Sequence, residues 1–259
     1  MSMQVENRGQ VLREHFDIIP RSGQYVIALA GNPNVGKSTV FNALTGLRQH
    51  TGNWPGKTVD NAQGTFTYHK KSFLLVDLPG TYSILAHTVE EQVARDFICF
   101  GQPDATLVVL DATCLERNLN LALQIMEITP NIIVCVNLMD EARKKNIIID
   151  IPALERELGV PVVATAARKG EGLDTLQETL YQVSSGAFKS KPQQLVYSPE
   201  VEEAVQKLLP NIQHLVDHKL NPRWVALRLL DGDKAFIDTI SRQLDLQPTL
   251  KVLQEVAAI

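Results

Sequence analysis

The chain of 259 residues has few cysteines, no long apolar segment and no large excess of either charge. Its three cysteines, Cys99, Cys114 and Cys135, have no metal-type spacing, which favours a reducing, cytoplasmic compartment. No apolar run approaches the roughly 18 residues that cross a bilayer, and residues 1–20 lack the apolar core of a signal peptide. We therefore expect a soluble chain. The net charge of −4 gives no electrostatic footprint for non-specific binding to nucleic acid.

The composition that is present, with 44% hydrophobic and 21% charged residues, is that of an ordinary globular protein. Short apolar runs alternate with amphipathic segments between residues 24 and 184. The predicted strands are 24–30, 63–69, 72–77, 105–111, 131–137 and 160–165, and the predicted helices are 37–47, 88–99, 116–128, 138–146, 152–158 and 172–184. This alternation predicts a mostly parallel, doubly wound α/β sheet, in which ligands bind at the carboxyl ends of the strands.

Three parts follow from the patterning. Residues 1–23 form an N-terminal extension of unknown role, and residues 24–186 form the α/β domain. After the connector at 189–192 the strand signal disappears, and three amphipathic patterns remain. We predict that residues 187–259 form a small all-α domain.

The first motif is G-N-P-N-V-G-K-S, which matches the phosphate-binding loop pattern at every fixed position. An apolar strand precedes it and a helix follows, so its backbone N–H groups would point at anionic oxygens. Lys37 would reach the β- and γ-phosphates, and the Ser38 hydroxyl would ligate Mg²⁺. The candidate nucleotide-binding residues here are Gly31, Asn32, Pro33, Asn34, Val35, Gly36, Lys37, Ser38 and Thr39.

The second motif is the strand end D-L-P-G, whose Asp77 would hold the Mg²⁺ shell and whose Gly80 N–H would meet the γ-phosphate. In the loop before it, Thr58 is the natural switch threonine for Mg²⁺ and the γ-phosphate. Trp54 in that loop is expected to be exposed, and simple packing under the switch is the alternative. The candidate binding residues are Gly56, Lys57, Thr58, Val59 and Asp60, with Asp77, Leu78, Pro79 and Gly80.

The third and fourth motifs are N-L-M-D and T-A-A-R, each after an apolar strand. The Asp140 carboxylate can accept from two guanine N–H donors that adenine does not offer, and losing such a pairing discriminates strongly. The N–H of Ala167 would donate to the guanine carbonyl oxygen. The candidate residues are Asn137, Leu138, Met139 and Asp140, with Ala166, Ala167 and Arg168. Four motifs in this order predict a Ras-like P-loop GTPase domain that binds GTP and GDP.

The strings N-W-P-G-K-T-V, D-L-P-G-T-Y-S and N-L-M-D, followed by a helical appendage, resemble the cytosolic N-terminal region of the FeoB family of bacterial ferrous-iron transport proteins. The resemblance covers nearly the whole chain after residue 24. It implies a regulatory GTPase at the cytoplasmic face of the inner membrane, tethered to a membrane-spanning transporter domain of the same polypeptide. Homo-oligomers and small accessory iron-transport proteins are further partners that it allows.

Catalysis is expected to depend on Lys37, Asn34, Thr58 and Gly80. Thr81 stands where Ras-like proteins carry the water-orienting Gln, so intrinsic hydrolysis should be slow. The resemblance implies that Asn34 ligates K⁺ beside the phosphates, with backbone carbonyls of the loop around Trp54 completing the site. Such a K⁺ would neutralise developing charge. The alternative for Asn34 is a turn-forming residue only.

Two other functions share these motifs. A ribosome- or RNA-associated assembly GTPase uses the same phosphate loop, although the acidic net charge and the lack of a basic stripe argue against it. A nucleotide-gated scaffold with negligible turnover differs only in rate.

Overall fold

The computed structural model describes residue 13 and residues 16–46, 49–85, 88–216 and 220–243. The chain divides into two compact units: the larger ends at Gln193 and the smaller begins at Gln194, with Glu127–Thr129 grouped with the smaller. The connector belongs to the larger unit because Lys191 N donates to the Gly159 carbonyl at 3.0 Å. Among the described residues, no helix combines the length and apolar character needed to cross a membrane.

A seven-stranded sheet forms the centre of the larger unit. The strands are β1 (Tyr25–Gly31), β2 (Gln49–Asn53), β3 (Asp60–Tyr68), β4 (Lys71–Asp77), β5 (Ala105–Asp111), β6 (Ile132–Asn137) and β7 (Val162–Ala164). Their order across the sheet is β2-β3-β4-β1-β5-β6-β7. Strands β4, β1, β5, β6 and β7 run parallel, whereas β2–β3 and β3–β4 pair antiparallel. The predicted, mostly parallel sheet is confirmed.

Strand β2 was not predicted, because its sequence Q-H-T-G-N has no apolar alternation. Backbone pairing with β3 creates it, from Gln49 opposite Gly64 to Asn53 opposite Asp60. The same pairing starts β3 at Asp60 rather than at the predicted residue 63. The segment that carries Thr58, residues 54–59, is therefore the loop that connects the two strands of a β-hairpin.

In the described part of the larger unit, these α-helices connect the strands: α1 (Lys37–Thr45), α2 (Val89–Phe100), α3 (Leu115–Ile128), α4 (Met139–Lys144), α5 (Ile151–Leu158) and α6 (Leu173–Ser184). Helix α2 begins at a capping box, in which the Thr88 hydroxyl accepts from Glu91 N and the Glu91 carboxylate accepts from Thr88 N. Helix α1 ends at Thr45, two residues before the predicted end at 47, and Gly46 caps it with a φ of 62°. Residue 47 lies outside the described residues.

The apolar strands are buried on both faces, as continuous Val/Leu/Ile runs require in a parallel sheet. In β5, Leu107, Val108, Val109 and Leu110 are each 0% exposed. The core cluster also contains Leu176, Leu180 and Val183, the apolar stripe of α6. This rigid sheet holds the loops at its carboxyl edge.

The smaller unit contains α7 (Pro199–Val216), α8 (Pro222–Leu230) and α9 (Lys234–Gln243). The Asn221 side chain caps α8 by accepting from Arg223 N at 3.1 Å. The Arg223 guanidinium donates to both carboxylate oxygens of Glu202 at 2.7 Å and lowers the pKa of that carboxyl to about 2. The Trp224 and Phe236 rings meet edge to face at 4.5 Å. The described elements of this unit are all helical, whereas residues 217–219 and 244–259 lie outside the described residues.

Candidate nucleotide-binding site

The phosphate loop occupies residues 32–36, between the end of β1 and the start of α1. Gly36 has a φ of 81°, and a Cβ there would lie 2.5 Å from Nδ2 of Asn137, so only glycine fits. Asn34 is exposed, with a left-handed φ of 68°. No side chain of the described residues caps α1, so its first backbone N–H groups remain available to an anion.

A cavity of about 380 Å³ lies beside this loop and brings together Lys37, Thr58, Asp77 and Gly80, which the sequence predicted to act together. A Cβ on Gly80 would lie 3.5 Å from Pro33, so the second motif touches the phosphate loop directly. The full set of lining residues is Lys37, Thr58, Val59, Asp60, Ala62, Asp77, Leu78, Pro79, Gly80 and Glu90. Ser38 is not among them and is exposed in the first turn of α1.

The Lys37 ammonium forms an ion pair with the Asp77 carboxylate inside this cavity, and the two side chains are 12% and 19% exposed. Burial raises the pKa of Asp77, and the positive charge of Lys37 opposes that rise. The Asp77 carboxylate and the Thr58 hydroxyl are the oxygen donors that Mg²⁺ prefers. The residues therefore fit a phosphate on Lys37 and a Mg²⁺ ion on Asp77, each of which would replace one partner of this ion pair.

Thr81, at the position of the water-orienting Gln, turns away from the cavity. It is 4% exposed, and its hydroxyl donates to the Ser83 carbonyl at 2.6 Å and accepts from Ser83 N at 3.2 Å. Its backbone N–H donates to the Gly31 carbonyl at 3.2 Å. The side chain is thus committed within its own turn and is not among the residues lining the cavity.

Asp140 lies in the first turn of α4, with its side chain 13% exposed. The Lys169 ammonium is 3.3 Å from its carboxylate. Burial raises the pKa of Asp140, but the hydrogen bond and the charge of Lys169 outweigh it and hold that pKa below its usual value. An ionised carboxylate is the form that can accept from two N–H donors of guanine. Lys169 was missed from the sequence, because no spacing rule places it beside Asp140.

Asn137 is 1% exposed and joins three loops. Its Nδ2 donates to the Val35 carbonyl at 3.1 Å, and its Oδ1 accepts from the Thr165 hydroxyl at 3.0 Å and from Ala167 N at 3.1 Å. The sequence predicts that the Ala167 N–H donates to the guanine carbonyl oxygen. In this structure that N–H donates to the buried Asn137 Oδ1, because the loop packs against the Asn137 amide. A guanine oxygen would have to share the N–H with Asn137.

The loop at 54–59 differs from the prediction at Trp54, which is 2% exposed. Its ring packs against Phe97 at 5.4 Å between centroids, so the expectation of exposure is wrong and the packing alternative is correct. The Trp54 carbonyl, a suggested K⁺ ligand, accepts from Lys57 N at 3.0 Å. The sequence alone did not show this packing, because the partner on α2 is distant along the chain.

Asn32 is buried in the phosphate loop at 2% exposure, and neither side-chain polar atom has a partner among the described residues. Glu90, which lines the cavity from α2, was missed because acidic residues in a first helical turn are common. The remaining candidates divide into exposed residues, Thr39, Gly56, Lys57, Asp60 and Arg168; half-buried ones, Pro33, Pro79, Leu138 and Met139; and buried ones, Val35, Val59, Leu78, Ala166 and Ala167.

Among the described residues, no group of three or more His, Cys, Asp or Glu side chains could hold a metal ion by itself. A mostly parallel sheet with the phosphate loop at the end of β1, D-L-P-G at the end of β4 and N-L-M-D at the end of β6 defines a G domain of the P-loop class.

Comparison with known proteins identifies the branch of this class. Residues 25–180 match the family model described as ferrous iron transport protein B, and residues 197–258 match that of the FeoB cytosolic helical domain. The chain belongs to the FeoB family.

Two curated relatives are Fe(2+) transporters FeoB. That of Methanocaldococcus jannaschii is 42% identical over 228 residues, covering 88% of this chain and 33% of the relative. That of Escherichia coli K12 is 38% identical over 230 residues, covering 85% of this chain and 29% of the relative. The chain thus spans about a third of the length of these transporters.

Solved structures of the cytosolic domain of the T. maritima FeoB iron transporter are similar. The apo form has a TM-score of 0.78 at 34% identity, covering 91% of this chain and 98% of that chain. The GMPPNP form has a TM-score of 0.75 at 33% identity, covering 90% of this chain and 98% of that chain. A GDP form has a TM-score of 0.76 at 33% identity, covering 91% of this chain and 97% of that chain.

Proposed function

We propose that this chain is the GTP-binding and GTP-hydrolysing module of a ferrous-iron membrane transporter, dependent on Mg²⁺ and activated by K⁺. The observation that carries the proposal is the cavity in which Lys37, Thr58, Asp77 and Gly80 converge beside the phosphate loop. The GDP and GMPPNP forms of the T. maritima domain support a guanine nucleotide as the ligand.

Nucleotide binding begins with an exchange of partners. The first N–H groups of α1 receive the phosphates, and Lys37 leaves Asp77 for phosphate oxygens. Asp77, Thr58 and Ser38 would hold Mg²⁺, which would neutralise charge on the phosphates. Asp140, held ionised beside Lys169, reads the guanine base.

Hydrolysis by this site is slow in the proposal, because Thr81 is committed to Ser83 and offers nothing to orient water. Ordering of Thr58 and Gly80 around the γ-phosphate, and their release after hydrolysis, is the conformational switch. The exposed Asn34, whose φ is 68°, would supply an oxygen ligand for K⁺.

The partner of the module is the membrane-spanning transporter domain of the same polypeptide, since the curated relatives are transporters about three times as long as this chain. The switch regulates Fe²⁺ uptake from the cytoplasmic face of the inner membrane. Self-association and binding of small accessory proteins are compatible with this arrangement, whereas binding to nucleic acid is not expected from the net charge of −4.

The guanine specificity is tested by Asp140→Asn. The amide offers one donor and one acceptor, which suits the additional carbonyl of xanthine and leaves one guanine N–H without an acceptor. We expect calorimetry to show GTP affinity lowered by about 100-fold or more and XTP affinity raised. Lys144→Gln, on the same helix and exposed, is the matched control. Unchanged preference for GTP in Asp140→Asn would refute the assignment.

The K⁺ assignment is tested by phosphate release from GTP in matched KCl and NaCl buffers. Wild-type protein should be faster in KCl, and Asn34→Ala should remove the difference while Mg²⁺-dependent GDP binding persists. Equal rates of the wild type in the two salts contradict K⁺ activation without affecting the proposal that GTP binds.

A further inference from the structure

The described part of the N-terminal extension, Arg13 and residues 16–23, lies outside the region matched by the family model and packs on the G domain. We call Arg13 together with residues 16–24 the N-terminal strap. The Arg13 guanidinium donates from Nε to the Gly101 carbonyl at 2.9 Å and from a terminal nitrogen to the Gln102 carbonyl, and it lies 3.7 Å from the Asp104 carboxylate. These carbonyls follow the end of α2, where a cation is favoured by the helix dipole.

The strap also contributes apolar side chains to the larger unit. Ile18 is 0% exposed. The Phe16 ring meets Phe97 edge to face at 5.4 Å and 90°, and it meets Trp54 edge to face at 6.1 Å and 84°. Since Trp54 and Phe97 also pack at 5.4 Å, the three rings form one cluster. Phe16 thereby connects the strap to the loop that carries the switch threonine.

Trp54 is coupled to Thr58 through the backbone. Trp54 N donates to the Val59 carbonyl at 2.9 Å, and Lys57 N donates to the Trp54 carbonyl at 3.0 Å. These two hydrogen bonds close a turn, and Thr58 lies within it and lines the nucleotide cavity. Holding the Trp54 ring in the cluster therefore restrains the position of Thr58.

The aromatic cluster leaves one polar group of Trp54 without a hydrogen-bond acceptor among the described residues. The indole Nε1 of Trp54 is buried, and no acceptor among the described residues lies within hydrogen-bond distance of it. An indole nitrogen is a donor only, and its burial without an acceptor is unfavourable. The aromatic contacts of Phe16 and Phe97 offset this cost, so loss of one contact shifts the balance toward a conformation in which the indole leaves the cluster.

We propose that the N-terminal strap positions the switch: Phe16 holds Trp54 in the aromatic cluster, and this contact opposes the rearrangement of Thr58 that a bound γ-phosphate requires. The inference rests on the proposed function for its nucleotide part. Phe16 acts through Trp54 and is a positioning residue, not a catalytic one. The strap therefore sets how strongly the module distinguishes a nucleoside triphosphate from a diphosphate.

The contact itself is tested without nucleotide, by acrylamide quenching of tryptophan emission in the whole chain. Phe16→Ala should increase quenching, whereas Ile19→Ala, which truncates a neighbouring side chain that is 71% exposed, should not. The same Phe16 change in a Trp54→Phe background must leave the emission of the remaining Trp224 unaltered. Far-UV circular dichroism and thermal melts establish that each variant is folded.

The coupling is tested by calorimetric titration with GMPPNP and GDP in Mg²⁺ buffer. Phe16→Ala should raise the affinity for GMPPNP relative to GDP about fivefold to tenfold. This factor corresponds to the free energy of one edge-to-face aromatic contact together with the surface that it buries. Phe16→Tyr, which keeps the ring, should restore the wild-type ratio. A variant that was only less stable would weaken both ligands alike.

Unchanged quenching in folded Phe16→Ala would overturn the proposal that the strap holds Trp54 in the aromatic cluster. Increased quenching with an unchanged affinity ratio overturns its control of the switch. If the wild-type chain binds neither nucleotide, the proposed function and the nucleotide part of the inference both fall, and the quenching result separates that failure from failure of the strap.

Discussion

Replacing Asn137 by Ala should destabilise the whole G domain, because one buried amide joins the phosphate loop to both base-side loops. The truncation leaves the Val35 carbonyl and the Ala167 N–H buried without their partner. The Thr165 hydroxyl keeps its hydrogen bond with Cys135 Sγ at 3.2 Å, so the loss of its bond to Asn137 adds little to the destabilisation. Each orphaned backbone group costs about 1–3 kcal/mol, so we expect the free energy of unfolding to fall by about 2–6 kcal/mol.

Urea-induced unfolding, followed by circular dichroism without nucleotide, measures this change. Asn211→Ala, at an exposed position of α7, is the matched control and should lie within about 0.5 kcal/mol of the wild type. A loss below about 1 kcal/mol in Asn137→Ala would show that the amide is not a structural junction. Its main role would then be contact with the ligand, visible as weakened nucleotide binding in a protein of normal stability.

Three further predictions concern separate parts of the chain. Gly36→Ala should lower the free energy of unfolding in urea more than Gly46→Ala. At both positions an alanine would adopt a positive φ, which costs about 1–2 kcal/mol, but only the Cβ at residue 36 would clash with another side chain. Equal losses in the two variants would contradict this clash. The carboxyl of Glu202 has its pKa lowered from 4.5 to about 2 by Arg223, so its contribution to stability is present above pH 4.5 and is lost as the pH falls toward 2; thermal melts of Glu202→Gln should lack that part of the acid dependence, and an identical pH profile would argue against the ion pair. Iodoacetamide at pH 8 should label Cys114 alone in the native protein, since the other two thiols are buried with raised pKa values; mass spectrometry showing a second rapid label would contradict this.

The sheet could be predicted because its strands are continuous apolar runs, and each motif follows one of them. Leu107–Leu110 are fully buried as such runs require, and the phosphate loop has the glycine at residue 36 that its backbone needs. Convergence of Lys37 with Asp77 follows from parallel strands that end at one edge of the sheet. These features are local in sequence or are fixed by topology.

The remaining features depend on contacts between distant residues. Strand β2 exists through backbone pairing with β3 and has no side-chain pattern of its own. Trp54 follows a polar segment, so the local composition does not indicate its burial against Phe97. Lys169 reaches Asp140 only once two loops meet at the sheet edge. For the same reason, the sequence predicts no role for Phe16.

Phosphate release in KCl and Mg²⁺ tests most directly whether a guanine-specific hydrolytic site is built on Lys37. We expect slow turnover of GTP by the wild type, no turnover of ATP, and none of either nucleotide by Lys37→Ala. Turnover of ATP at the rate of GTP, or an undiminished rate in folded Lys37→Ala, would contradict it.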